Sequence, residues 1–191
     1  MKQKKKAILE ASYLNQNEAS QKLSNLGYKY DHDLSTPESK VFTDAKGKPH
    51  IAFRGSKRVM DFLGSDVKLA LGLDKYDRRF QEARHLTRMV EDKYGQAADV
   101  FGHSLGGSLA EKSGANGKIV TYNKGTGIMD IGRKIGDKQV DHRTKNDVAS
   151  LLSLTQQHNN NLREYNNGKH HLNIFANHSI DGWPNKRNEI I

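Results

Sequence analysis

The stretch ADVFGHSLGGSLAEKSG, residues 98–114, decides how this chain is read. Ser104 sits in Gly102-His103-Ser104-Leu105-Gly106, with the spacing Gly-x-Ser-x-Gly. An apolar, strand-like run (Ala98, Val100, Phe101) comes before it, and a helix-compatible run from Ser108 to Lys112 follows. Strand, tight turn and helix is the setting in which this spacing presents a serine at the tip of a strand. The turn puts the serine in a strained backbone conformation. Side chains two positions to either side would collide there, and glycine avoids the collision.

Outward from this stretch, strands and helices alternate. Residues 40–43 and 50–53 read as two short strands around a turn at Asp44-Ala45-Lys46-Gly47. Residues 76–94 form a strong amphipathic helix, with Phe80, Ala83, Leu86, Met89, Val90 and Tyr94 at helical spacing and Gly95 ending it. Residues 98–101 read as a buried strand, 105–112 as a helix, and 118–122 and 139–143 as further strands. At the start, Ile8, Ala11, Leu14, Ala19, Leu23 and Leu26 give a helical reading of residues 5–26, stopped by Gly27. The polar stretch 156–169 reads as a loop or a solvated helix. The pattern predicts an α/β fold: a mostly parallel central sheet with helices on both faces. With 191 residues and no internal repeat, one domain over 1–191 is expected, residues 1–35 being a helical extension packed on the core.

Composition narrows the chemistry. There is no cysteine, so a disulfide framework, a cysteine metal site and a cysteine nucleophile are all excluded. No apolar run approaches the roughly 18 residues that span a bilayer. The charged start MKQKKKAILEASYL has too short an apolar run for a signal peptide, so the expectation is a soluble protein, cytoplasmic or virion-associated. The formal net charge of +9 favours anionic partners, or simple solubility. The lysine-rich start, residues 2–6, reads as a solvated end. No nucleic-acid motif is present, so no specific nucleic-acid partner is expected; contact with an anionic membrane surface is. Oligomeric state is open.

A serine hydroxyl is a weak nucleophile near neutral pH. It needs a histidine base, a carboxylate to orient that base, and donors for the oxyanion. Acids downstream of Ser104 include Asp130, Asp141 and Asp147; histidines downstream include His142, His158, His170, His171 and His178. Asp147 also has the makings of an N-cap for the residues after it.

IAFRGS (51–56), the long helix, VFGHSLGGSLA (100–110), IVTYNKGTG (119–127), RTKNDVASLL (143–152) and a late histidine together resemble the class 3 lipases, α/β-hydrolases related to fungal triacylglycerol lipases. The resemblance spans roughly residues 40–183, and Phe53-Arg54-Gly55-Ser56 with Gly102-His103-Ser104-Leu105-Gly106-Gly107 is its most specific part. It implies Ser104 as nucleophile, Asp147 as acid and His178 as base, with the N–H groups of Ser56 and Leu105 as oxyanion hole. His170 and His171 are the rival bases. His103 reads as packing beneath the elbow and Arg54 as a structural arginine.

The chain departs from that pattern in two places. Asn123-Lys124-Gly125-Thr126-Gly127 lacks the family's proline and places a lysine there, and Ala149 replaces a second proline. Residues 57–76, rich in Val, Leu, Met and Phe with interspersed lysine and arginine, read either as packed on the core or as an apolar flap opening on lipid.

The implied activity is hydrolysis of a lipid ester, triacylglycerol or phospholipid, through an acyl-enzyme, with no cofactor and no metal. A small-ester esterase, thioesterase or amidase keeps the chemistry and changes the substrate. The competing class is a non-catalytic membrane- or nucleic-acid-binding protein on a hydrolase fold.

Overall fold

The computed structural model describes residues 2–56, 74–127, 130–166 and 177–183. Its frame is a seven-stranded sheet whose spatial order equals its chain order. The strands are β1 (Lys29–Asp31), β2 (Ser39–Thr43), β3 (Pro49–Phe53), β4 (Asp99–His103), β5 (Ile119–Tyr122), β6 (Gln139–Thr144) and β7 (Leu162–Tyr165). β1, β2 and β3 pair antiparallel; β3 through β7 pair parallel. The β2–β3 hairpin is closed by Asp44, whose Oδ1 accepts the N–H groups of Lys46 and Lys48 at 2.8 and 3.0 Å.

Successive parallel strands are neighbours, and each crossover is expected to have the same right hand. Their connections therefore collect on one face. Helix α3 (Asp74–Tyr94) follows β3 and helix α4 (Leu105–Lys112) follows β4. Val41, Ile51, Phe53 and Val100 pack on this side with Ala83, Val90 and Leu109. The residues between them in the strands, Phe42, Ala52 and Phe101, face the other side, because a strand alternates its side chains. That second face is covered from the chain's start, by α1 (Lys2–Ala11) and α2 (Gln16–Ser24), and from its far end by Trp183. Ile8, Leu9, Ala19 and Leu23 supply the helical stripe. Helices thus lie on both faces, as the alternation predicts.

Two elements differ from the sequence expectation. The single N-terminal helix is two, broken after Ala11. Asn15 caps α2, accepting from Glu18 N–H at 3.0 Å while the Glu18 carboxylate accepts from Asn15 N–H at 3.3 Å. The polar stretch after Gln156 carries β7, paired with β6 from Asp141↔Leu162 to Thr144↔Tyr165. Residues 57–73, the bulk of the proposed flap, and His170 and His171 lie outside the described residues. Among the described residues no helix is long and apolar enough to cross a membrane.

Candidate active site

The parallel strands end in register, so the loops after β3, β4, β5 and β6 line one edge of the sheet, where open α/β sheets bind their ligands. Ser104 follows β4 with φ 57° and ψ −129°, in a region that a serine rarely occupies. Such a residue costs on the order of 1–3 kcal/mol and persists only where its surroundings over-determine it. Here the Ser104 N–H donates to Tyr122 O at 3.1 Å, and its carbonyl accepts from Gly107 and Gly125 N–H at 2.9 and 3.1 Å. The flanking glycines are required sterically. A Cβ on Gly102 would lie 1.9 Å from Gly106 O, and one on Gly106 would lie 2.2 Å from Phe53 O. Leu105 opens α4, so its N–H has no acceptor within the helix.

The loop after β3 lies against this elbow. A Cβ on Gly55 would stand 2.8 Å from His103 O and 3.2 Å from Ser104 Cβ. Ser56 is next in the chain, half-buried, and among the described residues its N–H and hydroxyl make no hydrogen bond. Arg54 pairs with the Glu38 carboxylate, and Arg79 bridges Glu38 at 3.1 Å and Arg54 O at 2.6 Å. The loop's arginine therefore faces away from Ser104 into an ion cluster that fixes the loop.

Asp147 and His178 are brought together from the end of β6 and the end of the chain. Asp147 Oδ1 lies 2.9 Å from His178 Nδ1, and both side chains are buried. The same carboxylate accepts the N–H groups of Ala149 and Ser150 at 3.3 and 3.0 Å. Orienting a histidine and capping the following turn are thus compatible uses of one side chain. His178 Nε2 is buried and makes no hydrogen bond among the described residues, Ser104 Oγ included. The rival acids are occupied elsewhere: Asp130 with Lys112 and Arg133, and Asp141 with Lys124.

What joins His178 to the elbow is His103. Its Nε2–H donates to His178 O at 2.7 Å, and the two rings stand 4.9 Å apart. Its Nδ1 therefore accepts, and the Tyr13 hydroxyl donates to it at 2.7 Å. Gly55 N–H donates to the Tyr13 oxygen at 3.2 Å. Burial pushes His103 down to about 3 and Tyr13 up to about 12, so both stay neutral at ordinary pH and this proton arrangement is kept. Asn123 adds a second clamp: its Nδ2 donates to Asn177 O at 2.9 Å and His178 O at 3.3 Å, and its Oδ1 accepts Thr144 N–H at 2.7 Å. The sequence gives no local signal for Tyr13. Asn123 was visible only as a departure from the family pattern.

Lys124 does not face the substrate edge. It is buried in a charge cluster behind α4, paired with Glu111 and, at 2.6 Å, with Asp141. Gln139 bridges both carboxylates at 2.9 and 2.8 Å, and Thr121 donates to Asp141 at 2.7 Å. Burial alone would raise Asp141; His158 with its Nδ1 3.3 Å away, hydrogen bonds from Lys124 and Thr121 and the Lys124 charge outweigh it and hold the carboxyl well below the usual range. An apolar cleft of about 470 Å³ lies between α3 and the β1–β2 connection, lined by Leu34, Phe53, Leu86, Met89 and Leu109 among others; none of Ser104, Asp147 and His178 lines it. Among the described residues no group of three or more histidine or carboxylate side chains is arranged to hold a metal ion.

A family model described as phospholipase-like, the Tle-like phospholipase domain, matches residues 8–131. The match takes in Tyr13, Ser56, His103, Ser104 and Leu105 and ends before Asp147 and His178. It is a match to phospholipases and does not single out the class 3 lipases named from the motifs. No curated protein and no solved structure matches the chain.

Proposed function

We propose a function from one premise: the chain belongs to the Tle-like phospholipase domain family. On that premise it is a serine hydrolase of lipid carboxylic esters, with phospholipid as the preferred substrate class. The observation that carries the reading is the buried Asp147–His178 pair, 2.9 Å apart, with Nε2 of His178 left without a partner among the described residues and its ring 4.9 Å from that of His103, the residue before the strained Ser104.

In this mechanism Asp147 accepts the Nδ1–H of His178, which leaves the lone pair on Nε2. Nε2 takes the proton of Ser104 Oγ as Oγ bonds to the ester carbonyl carbon. The carbonyl π pair moves onto oxygen, and the N–H groups of Ser56 and Leu105 hold that oxyanion. The C–O bond to the alcohol then breaks, and the alcohol leaves with the proton from Nε2. Water, deprotonated by the same nitrogen, attacks the acyl-enzyme. The tetrahedral intermediate collapses to free fatty acid and Ser104 Oγ–H. Asp147 stabilises the imidazolium in both halves. The positive net charge and the phospholipase-like family favour an anionic lipid surface over neutral fat.

The test is hydrolysis of a fluorogenic phospholipid and of p-nitrophenyl butyrate by the parent protein, Ser104→Ala and His178→Ala, each checked for folding. Loss of nucleophile or base costs up to about 10⁶ in turnover in a working triad, so both variants should fall to background. Labelling of Ser104 by a fluorophosphonate is the second readout. A folded parent inert on both esters and unlabelled would leave the hydrolase fold as a binding scaffold.

A further inference from the structure

The connection from β6 to β7 carries more than Asp147. It turns through Val148 into a 3₁₀ helix, Leu151–Thr155, with Leu151 N–H donating to Val148 O at 3.2 Å. A 3₁₀ helix has three residues per turn, so side chains three apart stack on one side. Val148, Leu151 and Leu154 have that spacing, and they are 49%, 54% and 43% exposed. Of the residues between them, Ala149, Ser150 and Ser153 are buried and Leu152 is half-buried. Gly132 N–H donates to Thr155 O at 3.1 Å, which sets Ile131, 52% exposed, beside the end of the row. The one other large apolar residue so exposed among the described residues is Met89, on α3. Single exposed leucines are ordinary, but a contiguous apolar strip marks a contact surface.

The charges around the strip say what it meets. Lys145 precedes it and Lys134 lies on the segment bridged to Gln157; both are exposed and neither forms an ion pair among the described residues. Of the acids on residues 130–166, Asp130, Asp141, Asp147 and Glu164 are each engaged with a cation or a histidine. Asp137 alone is exposed without an ion pair. Apolar side chains flanked by free lysines fit an interface in which acyl chains lie under anionic headgroups.

We infer that Val148, Leu151, Leu154 and Ile131 form the surface by which the protein docks on an anionic lipid bilayer. The strip begins one residue after Asp147, so docking brings the Asp147–His178 edge of the sheet to the lipid. Its purpose rests on the hydrolase reading; the binding itself does not.

The experiment uses Ser104→Ala protein and sedimentation with vesicles of phosphatidylcholine alone or mixed equally with phosphatidylglycerol. Binding should require the anionic lipid and weaken as salt rises. Val148→Ser, Leu151→Ser and Leu154→Ser together should lower it by at least about tenfold, and Met89→Ser should not. Because the chain has no cysteine, Leu151→Cys carries a single environment-sensitive dye; its emission should shift to the blue on anionic vesicles, a readout that does not depend on the triple variant folding. Equal binding by the triple variant, no dye shift, or a parent dimer that the triple variant dissolves would each overturn the inference, the last by assigning the strip to a second copy. An ester-inert protein that still binds through the strip loses the proposed function and keeps the docking surface. An active protein indifferent to the strip does the reverse.

Discussion

The Tyr13 hydroxyl stands 2.7 Å from His103 Nδ1, across 90 residues of sequence. It ties the end of the first helix to the residue before Ser104, and through His103 Nε2 to the backbone of His178. The same oxygen accepts Gly55 N–H from the loop that carries Ser56. One hydroxyl therefore holds three chain segments in a common geometry. Tyr13→Phe keeps the ring and leaves His103 Nδ1 and Gly55 N–H unpaired in a buried setting. The expected cost is about 1–3 kcal/mol of stability. A lipid-ester assay should show kcat reduced by about 10- to 100-fold with KM nearly unchanged, since misplacement rather than lost substrate contact is the cause. A Tyr13→Phe enzyme with the parent kcat would make the link purely structural.

The backbone at Ser104 sets a trade between stability and activity. Glycine occupies positive φ freely, whereas alanine meets the same strain as serine. After the entropy cost of glycine, Ser104→Gly should be more stable than Ser104→Ala by about 1 kcal/mol. In a chain of this length that is roughly 2–4 °C in a thermal melt. Equal melting of the two variants would mean the elbow stores no strain.

The elbow was legible because its glycines stand at fixed offsets from Ser104 within one short window, although what excludes a Cβ is Gly106 at Gly102 and the distant β3 at Gly106. The apolar strands β3, β4 and β5 were legible from their short runs for the same reason. The break after Ala11 was written in the sequence as Asn15 and Glu18, a capping pair, but the continuous apolar spacing hid it. β7 was not legible. Leu-Arg-Glu-Tyr at a sheet edge is held by backbone hydrogen bonds, and its side chains are too polar to betray a strand. Tyr13 and the inward turn of Lys124 depend on which distant segments meet, and no short window of sequence contains that information.

Lys124 sits between two buried carboxylates, Glu111 and Asp141. Lys124→Met fills a similar volume but removes the cation shared by both, leaving Glu111 with Arg133 at 3.3 Å and Asp141 with His158 at 3.3 Å. The expected cost is about 3–5 kcal/mol, measured by urea unfolding. Adding Glu111→Gln and Asp141→Asn to Lys124→Met should recover much of that loss, because the neutral groups can still hydrogen-bond with Gln139 and Thr121. No recovery would mean that the lysine's packing, not its charge, holds the cluster.

His103 makes stability depend on pH with a definite sign. Burial lowers its value from 6.5 in the free side chain to about 3 in the folded protein. Between those values the unfolded chain binds a proton that the folded chain refuses, so stability falls as the medium is acidified. The full contribution is present above 6.5 and is lost progressively down to about 3. His158 acts in the opposite sense. The Asp141 carboxylate, 3.3 Å from its Nδ1, raises its value, so its contribution is complete below 6.5 and is lost as pH rises through the raised value. Comparing the parent with His103→Asn separates the two, since His158 is common to both. Urea unfolding from pH 4 to 8 should show the parent losing stability more steeply below about 6.5 than the variant. The two curves should converge towards acid pH, whatever the variant loses at neutral pH through the missing bonds to Tyr13 and His178. Parallel curves across that range would mean that His103 takes up a proton within the folded protein, and the neutral link from Tyr13 to His178 would fall with it.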